Sequence, residues 1–140
     1  MKPIDWAFLR TIAVGVGSFG LAGVAIALAF PPTRVVIVVD RAFCPPDQWQ
    51  ATTAAYRDRY QAHQQKSTRI ERVILVGDLG NEQLNPPPTP EQFAKLATFG
   101  RSNETTLSQW MSGQALPSDL KGVTVEMLRC GGDSPTTPTP

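Results

Sequence analysis

The chain has 140 residues, 41% hydrophobic and 18% charged, with 13 basic and 12 acidic side chains and two cysteines. That is room for one small domain with extensions. A net charge of +1 excludes the strong positive field of a dedicated nucleic-acid binder, and two cysteines exclude a disulfide-dense scaffold.

From Thr11 to Phe30 no charged residue occurs, between Arg10 and the Pro31-Pro32 stop. At about 1.5 Å per residue, a helix over this run spans roughly the 30 Å hydrocarbon core of a bilayer. Residues 1–33 are therefore expected to be a membrane anchor, with Trp6 and Phe8 at headgroup depth and Lys2 and Arg10 snorkelling. The alternative is a cleaved signal peptide, for which Lys2 and Arg10 supply the basic region and Ala27-Leu28-Ala29 the small-x-small site. The apolar run is longer than the usual signal core, which favours the anchor. Basic residues on the two sides nearly balance; the cleavage-like site and the cysteines favour a domain outside the cytoplasm, in a periplasm, a lumen or the cell exterior. Gly15, Ser18, Ala22, Ala25 and Ala29 recur at steps of three and four, a stripe that would let a second transmembrane helix approach closely. Ala13, Gly17, Gly20 and Ala27 form an equally small second stripe, so composition alone also explains the first.

Arg34 to Asp40 is a continuous β-branched run of strand length, which implies a strand covered on both faces. The pattern returns at Glu71 to Asp78. Between them, Pro46 fits a first helical turn, Asp47 complements the helix N-terminus, and Trp49, Thr53, Tyr56, Tyr60 and His63 fall on one face. Residues 34–78 thus read as a βαβ unit with a parallel pair. Asn85-Pro86-Pro87-Pro88 is a stiff break, after which Thr89, Pro90 and Gln92 form a capping box for a helix carrying Phe93, Leu96 and Ala97. A further short helix over 102–112 presents Leu107, Trp110 and Met111, and Gly113 stops it. Val123 to Leu128 alternates as a last strand, and residues 132–140 read as a disordered Pro/Thr tail.

The fold class is accordingly α/β: one N-terminal transmembrane helix, then a small three-stranded, mostly parallel sandwich over 34–131 with sheet order 2-1-3. In that order the first helix covers one face of the sheet and the later helices the other. Lys2, Arg10 and Asp5 precede the domain, which leaves it 11 basic and 11 acidic residues and no obvious electrostatic partner.

Cys44 follows the first strand and Cys130 the last, so in a parallel sheet both stand at one carboxyl edge, where a disulfide could join them. Two separate buried thiols remain the alternative. A single histidine, His63, with two cysteines does not complete a usual four-ligand metal site, and no serine stands in a nucleophile turn. Asp40 and Asp78 end the first two strands at the same edge, where open α/β sheets place ligands, and form a candidate site for a divalent ion. Loop capping or a salt bridge to Arg41 is the plain alternative. Asn103-Glu104-Thr105 satisfies a glycosylation sequon.

Cys44-Pro45-Pro46-Asp47, after a strand and before a helix, resembles the active-site turn of thioredoxin-like proteins, and the resemblance covers Arg34 to Asp78. It implies Cys44 as a nucleophile favoured by the helix N-terminus. Asp47 stands in the place of that family's second redox cysteine. Val35 to Asp40 also resembles the first strand of von Willebrand A-type domains, with Arg41-Ala42-Phe43 where metal-binding serines would follow.

The expected function is that of a non-enzymatic, single-pass membrane protein whose domain serves assembly or protein interaction. Its partners would be the membrane and another transmembrane helix or membrane complex, with no nucleic acid, cofactor or metal. The alternative is a thiol- or metal-dependent enzyme using Cys44 or the Asp40/Asp78 pair.

Overall fold

A computed structural model of the chain describes Arg10, residues 12–18, Gly20, Gly23 and residues 31–133. The chain falls into two units, Met1–Pro31 and Pro32–Pro140.

In the first unit Arg10, residues 12–18, Gly20 and Gly23 are helical. Among the described residues no helix is long and apolar enough to cross a membrane. This overturns the expected transmembrane helix, and with it the signal-anchor and single-pass membrane placement. Of the small-residue stripe, Gly15 and Ser18 are described. The Ser18 hydroxyl donates to the Val14 carbonyl of its own helix at 2.8 Å. Ala22, Ala25 and Ala29 lie outside the described residues.

The second unit is an α/β domain with the strands β1 (Thr33–Asp40), β2 (Thr68–Gly77), β3 (Gly80–Leu84), β4 (Thr124–Arg129) and the two-residue β5 (Gly132–Asp133). The helices are α1 (Pro46–Gln64), α2 (Pro90–Ala94) and α3 (Glu104–Met111), with a 3₁₀ turn at Ser118–Leu120. The sheet order is β3-β2-β1-β4-β5. β1 pairs in parallel with β2 and β4, while β3 and β5 add antiparallel edges. The three-stranded sandwich is thus corrected to a mixed sheet of four strands, β3-β2-β1-β4, extended at one edge by β5. The strands read from the sequence lie side by side inside it, the first between the other two. What was missed is a pair of hairpins: Gly77 pairs with Gly80 across Asp78-Leu79, and Arg129 with Gly132 across Cys130-Gly131. The second hairpin draws Gly132 and Asp133 out of the expected tail, whose residues 134–140 lie outside the described ones.

β1 explains the packing. Its residues alternate between two cores, Val35, Ile37 and Val39 on one face and Val36 and Val38 on the other, and all five are buried. The first face is covered by α1 and α2. There Phe93 stacks on Tyr56 with ring centroids 4.0 Å apart and on Trp49 at 5.3 Å. The second is covered by Leu107 and Trp110 of α3 and by Leu120. Placing the later helices all on the second face therefore needs correction for α2. After β3 the chain turns back through Pro86–Pro88 onto the α1 face, where the Tyr56 hydroxyl donates to the Pro88 carbonyl at 2.7 Å. The capping box forms as read: Thr89 accepts from the Gln92 amide, and Gln92 accepts from the Thr89 amide at 2.9 Å.

Candidate functional site

Parallel pairing brings the carboxyl ends of β1, β2 and β4 to one edge, and three loops meet there: 41–45 after β1, the Asp78-Leu79 turn, and 97–103. Hydrogen bonds tie the first to the third. The Phe43 amide donates to the Gly100 carbonyl at 3.2 Å, and the Phe99 amide donates to the Arg41 carbonyl at 3.0 Å. Arg41 sits at the centre. Its amide donates to the Val76 carbonyl, its Nε to the Ala97 carbonyl at 2.9 Å, and its Nη1 meets Glu82 Oε2 at 2.8 Å. Its guanidinium lies 4.7 Å from the centre of the Phe99 ring, a cation–π contact.

Asp40 and Asp78 both turn to this loop cluster. Asp40, 8% exposed, accepts from the Ala42 amide at 3.0 Å and from the Ser102 hydroxyl at 2.7 Å. Asp78 accepts from the Arg101 amide at 3.3 Å. The two carboxylates thus anchor neighbouring residues of one loop. Among the described residues no group of three or more His, Cys, Asp or Glu side chains could hold a metal ion. Beyond Ser102, Glu104 receives both guanidinium arms of Arg129, at 2.8 and 3.1 Å. That charge-assisted pair is the first cause of a Glu104 carboxyl held below its ordinary range.

Cys44 and Cys130 are joined by a disulfide, Cα to Cα 5.5 Å. It links the loop after β1 to the β4–β5 hairpin. The sulfur of Cys44 is therefore bonded and buried rather than a free thiolate, which removes the nucleophile that the thioredoxin-like resemblance implied. His63 lies at the other end of the domain, where its Nδ1 accepts the Ile70 amide at 3.3 Å. Asn103 caps α3, its side chain accepting from the Thr106 amide at 3.1 Å.

The sequence reading missed the apolar rim of this edge. Leu79 at the hairpin tip is 83% exposed, Phe43 69% and Phe99 38%. Leu79 and Phe99 flank one open cleft of about 210 Å³ with Arg41 and Glu82. Phe43 joins them through its bond to Gly100. The signal was present in Gly77-Asp78-Leu79-Gly80, since a hairpin turn between two glycines has nowhere to bury a leucine. No protein-family model, curated protein or solved structure matches this chain.

Proposed function

We propose that the domain is a protein-interaction module that docks a partner through the rim of Phe43, Leu79 and Phe99, in the service of assembly. The observation that carries this reading is the near-complete exposure of Leu79 beside two partly or largely exposed aromatic rings. One exposed leucine is ordinary, but large apolar side chains gathered on one edge mark a contact surface. Aromatic groups of this kind supply much of the energy of protein interfaces. The platform beneath them is held by backbone bonds between loops and by the anchoring of residues 100–102 on Asp40 and Asp78. Docking on such a prearranged surface loses little loop entropy.

The test is affinity capture with the full chain, disulfide intact, comparing wild type with the double substitution Phe43→Asp and Leu79→Asp. The expected result is a stoichiometric partner protein retained by wild type and lost by the variant, with thermal unfolding unchanged because neither side chain is in the core. An identical set of captured proteins for both forms would overturn the reading.

A further inference from the structure

Strand β3 ends the sheet and is paired on one side only, with β2. The turn at Asp78-Leu79 fixes which of its backbone groups face outward. Gly77 and Gly80 close a two-residue loop, so they exchange both backbone hydrogen bonds, and in an antiparallel ladder such pairs alternate with pairs that share none. Glu82 opposite Leu75 and Leu84 opposite Val73 are therefore bonded to β2, whereas Asn81 and Gln83 turn their N–H and C=O groups away from it. The bond from the Arg41 amide to the Val76 carbonyl agrees, since Val76, opposite Asn81, serves β1. Among the described residues nothing pairs with these four outward groups.

Open edges are usually blunted by lysine, proline or a bulge. β3 has none of these: its register with β2 is unbroken over five residues, and its one charge, Glu82, is drawn to Arg41 at 2.8 Å. Gly80, Glu82 and Leu84 share the strand face of Val73 and Leu75, which belongs to the α1/α2 core. A cleft opens at each end of that row. At Gly80 lies the one of about 210 Å³ flanked by Leu79 and Phe99, and at Leu84 one of about 500 Å³ lined also by Pro86 and Leu96.

We propose that an extended segment of a partner protein adds to β3 as a further antiparallel strand. This rests on the reading of the Phe43, Leu79 and Phe99 rim as a docking surface and names the form of what docks there. Two residues of the segment, paired with Gln83 and Asn81, take up all four outward groups. The three residues opposite Leu84, Glu82 and Gly80 project to the α1/α2 face. The outer two stand four positions, about 14 Å, apart over the two clefts, and are apolar. The middle one lies beside Glu82, whose side chain is about half exposed and whose Oε1 accepts no hydrogen bond among the described residues. A threonine or serine hydroxyl completes that oxygen, and an acidic residue is repelled. A second copy of this chain fits poorly, because β3 paired with itself about Glu82 sets two glutamates face to face.

The probe is the peptide Lys-Leu-Thr-Thr-Thr-Leu-Lys, blocked at both ends and titrated into the full ¹⁵N-labelled chain with its disulfide intact. Saturable shifts are expected at residues 79–84 and at Phe99. At saturation the Asn81 and Gln83 amides should exchange with solvent about tenfold more slowly or less, since they become bonded. N-methylation of the first and third threonines of the peptide removes its donors to β3 and should weaken binding about tenfold. A glutamate in place of the middle threonine should also weaken it, and Glu82→Gln should relieve that loss. Gln83→Pro removes one outward donor without touching the bonds to β2, and should weaken binding while the Glu82 and Leu84 amides stay protected. Shifts at Leu79 and Phe99 without slowed exchange at Asn81 and Gln83 would keep the rim and overturn strand addition. No saturable shift would overturn it whatever partner capture by the rim returns. Slowing that grows with protein concentration in the absence of peptide would assign the edge to a second copy and overturn the foreign segment.

Discussion

Tyr56 shows how one side chain couples the helix layer to the loops. Its ring is fully buried in the aromatic stack, and its hydroxyl serves the Pro88 carbonyl. Burial, and secondarily the neighbouring Tyr60, push its pKa well above the ordinary value of 10.0. The folded state therefore holds this proton more tightly than the unfolded chain does. The resulting stability is fully present below pH 10 and is lost as pH rises from there towards the folded-state value. Absorbance of tyrosinate, followed beside circular dichroism, should show this ring ionising together with alkaline unfolding. Tyr56→Phe should lower stability at neutral pH by about 1 kcal/mol, through the unpaired Pro88 carbonyl, and flatten the alkaline limb. Gly100 is the second such residue. It holds φ +77°, and a Cβ there would clash with the Asp78 carboxylate. Gly100→Ala is expected to cost about 2–3 kcal/mol, from left-handed strain and the displaced Asp78 carboxylate. Adding Asp78→Ala should remove the clash but not the strain, so denaturant melts of the double variant should recover only part of the loss.

Among the elements, α1 is tied to β4 by Arg59 Nε and Glu126 Oε2 at 2.6 Å, both side chains about one-fifth exposed. Glu126 lies between Val125 and Met127, which face the α3 core, so its own side chain turns to the α1 face, where Arg59 meets it. Glu126→Ala should destabilise by about 1–2 kcal/mol in urea unfolding, between the values for exposed and buried pairs. The alternation that exposes this arrangement was readable in the sequence. So were the β-branched run of β1, the helix from Pro46 and the Thr89–Gln92 capping box, because each is dictated by neighbours in sequence. β3 was not readable by the same means. Its residues Gly80-Asn81-Glu82-Gln83-Leu84 are polar and mostly exposed, and a strand made by pairing at a sheet edge needs no apolar face of its own. The apolar rim escaped for a related reason. Its three residues lie on separate loops, 36 and 20 positions apart, and only the fold makes them neighbours. The anchoring of residues 100–102 by Asp40 and Asp78 is likewise long-range: the acids are visible as strand ends, their partners are not.

At the scale of the whole molecule, the disulfide closes one loop across a separation of 86 residues, nearly the entire described domain. Its effect on stability falls chiefly on the unfolded chain, which it confines, and for a loop of this size the expected contribution is roughly 2–5 kcal/mol. Cys44→Ala with Cys130→Ala should lower the unfolding free energy by that amount without rearranging the sheet. Amide hydrogen exchange can separate this global effect from local loosening. β1 is central and covered on both faces, so its amides are expected to exchange only when the domain unfolds, and their rates should rise by the full factor that the lost stability implies. β3 forms the far edge and is mostly exposed, so its amides open locally and should exchange at nearly the wild-type rate. If β1 were unchanged and only the β4–β5 hairpin quickened, the disulfide would be a local clamp on that edge rather than a constraint on the unfolded chain.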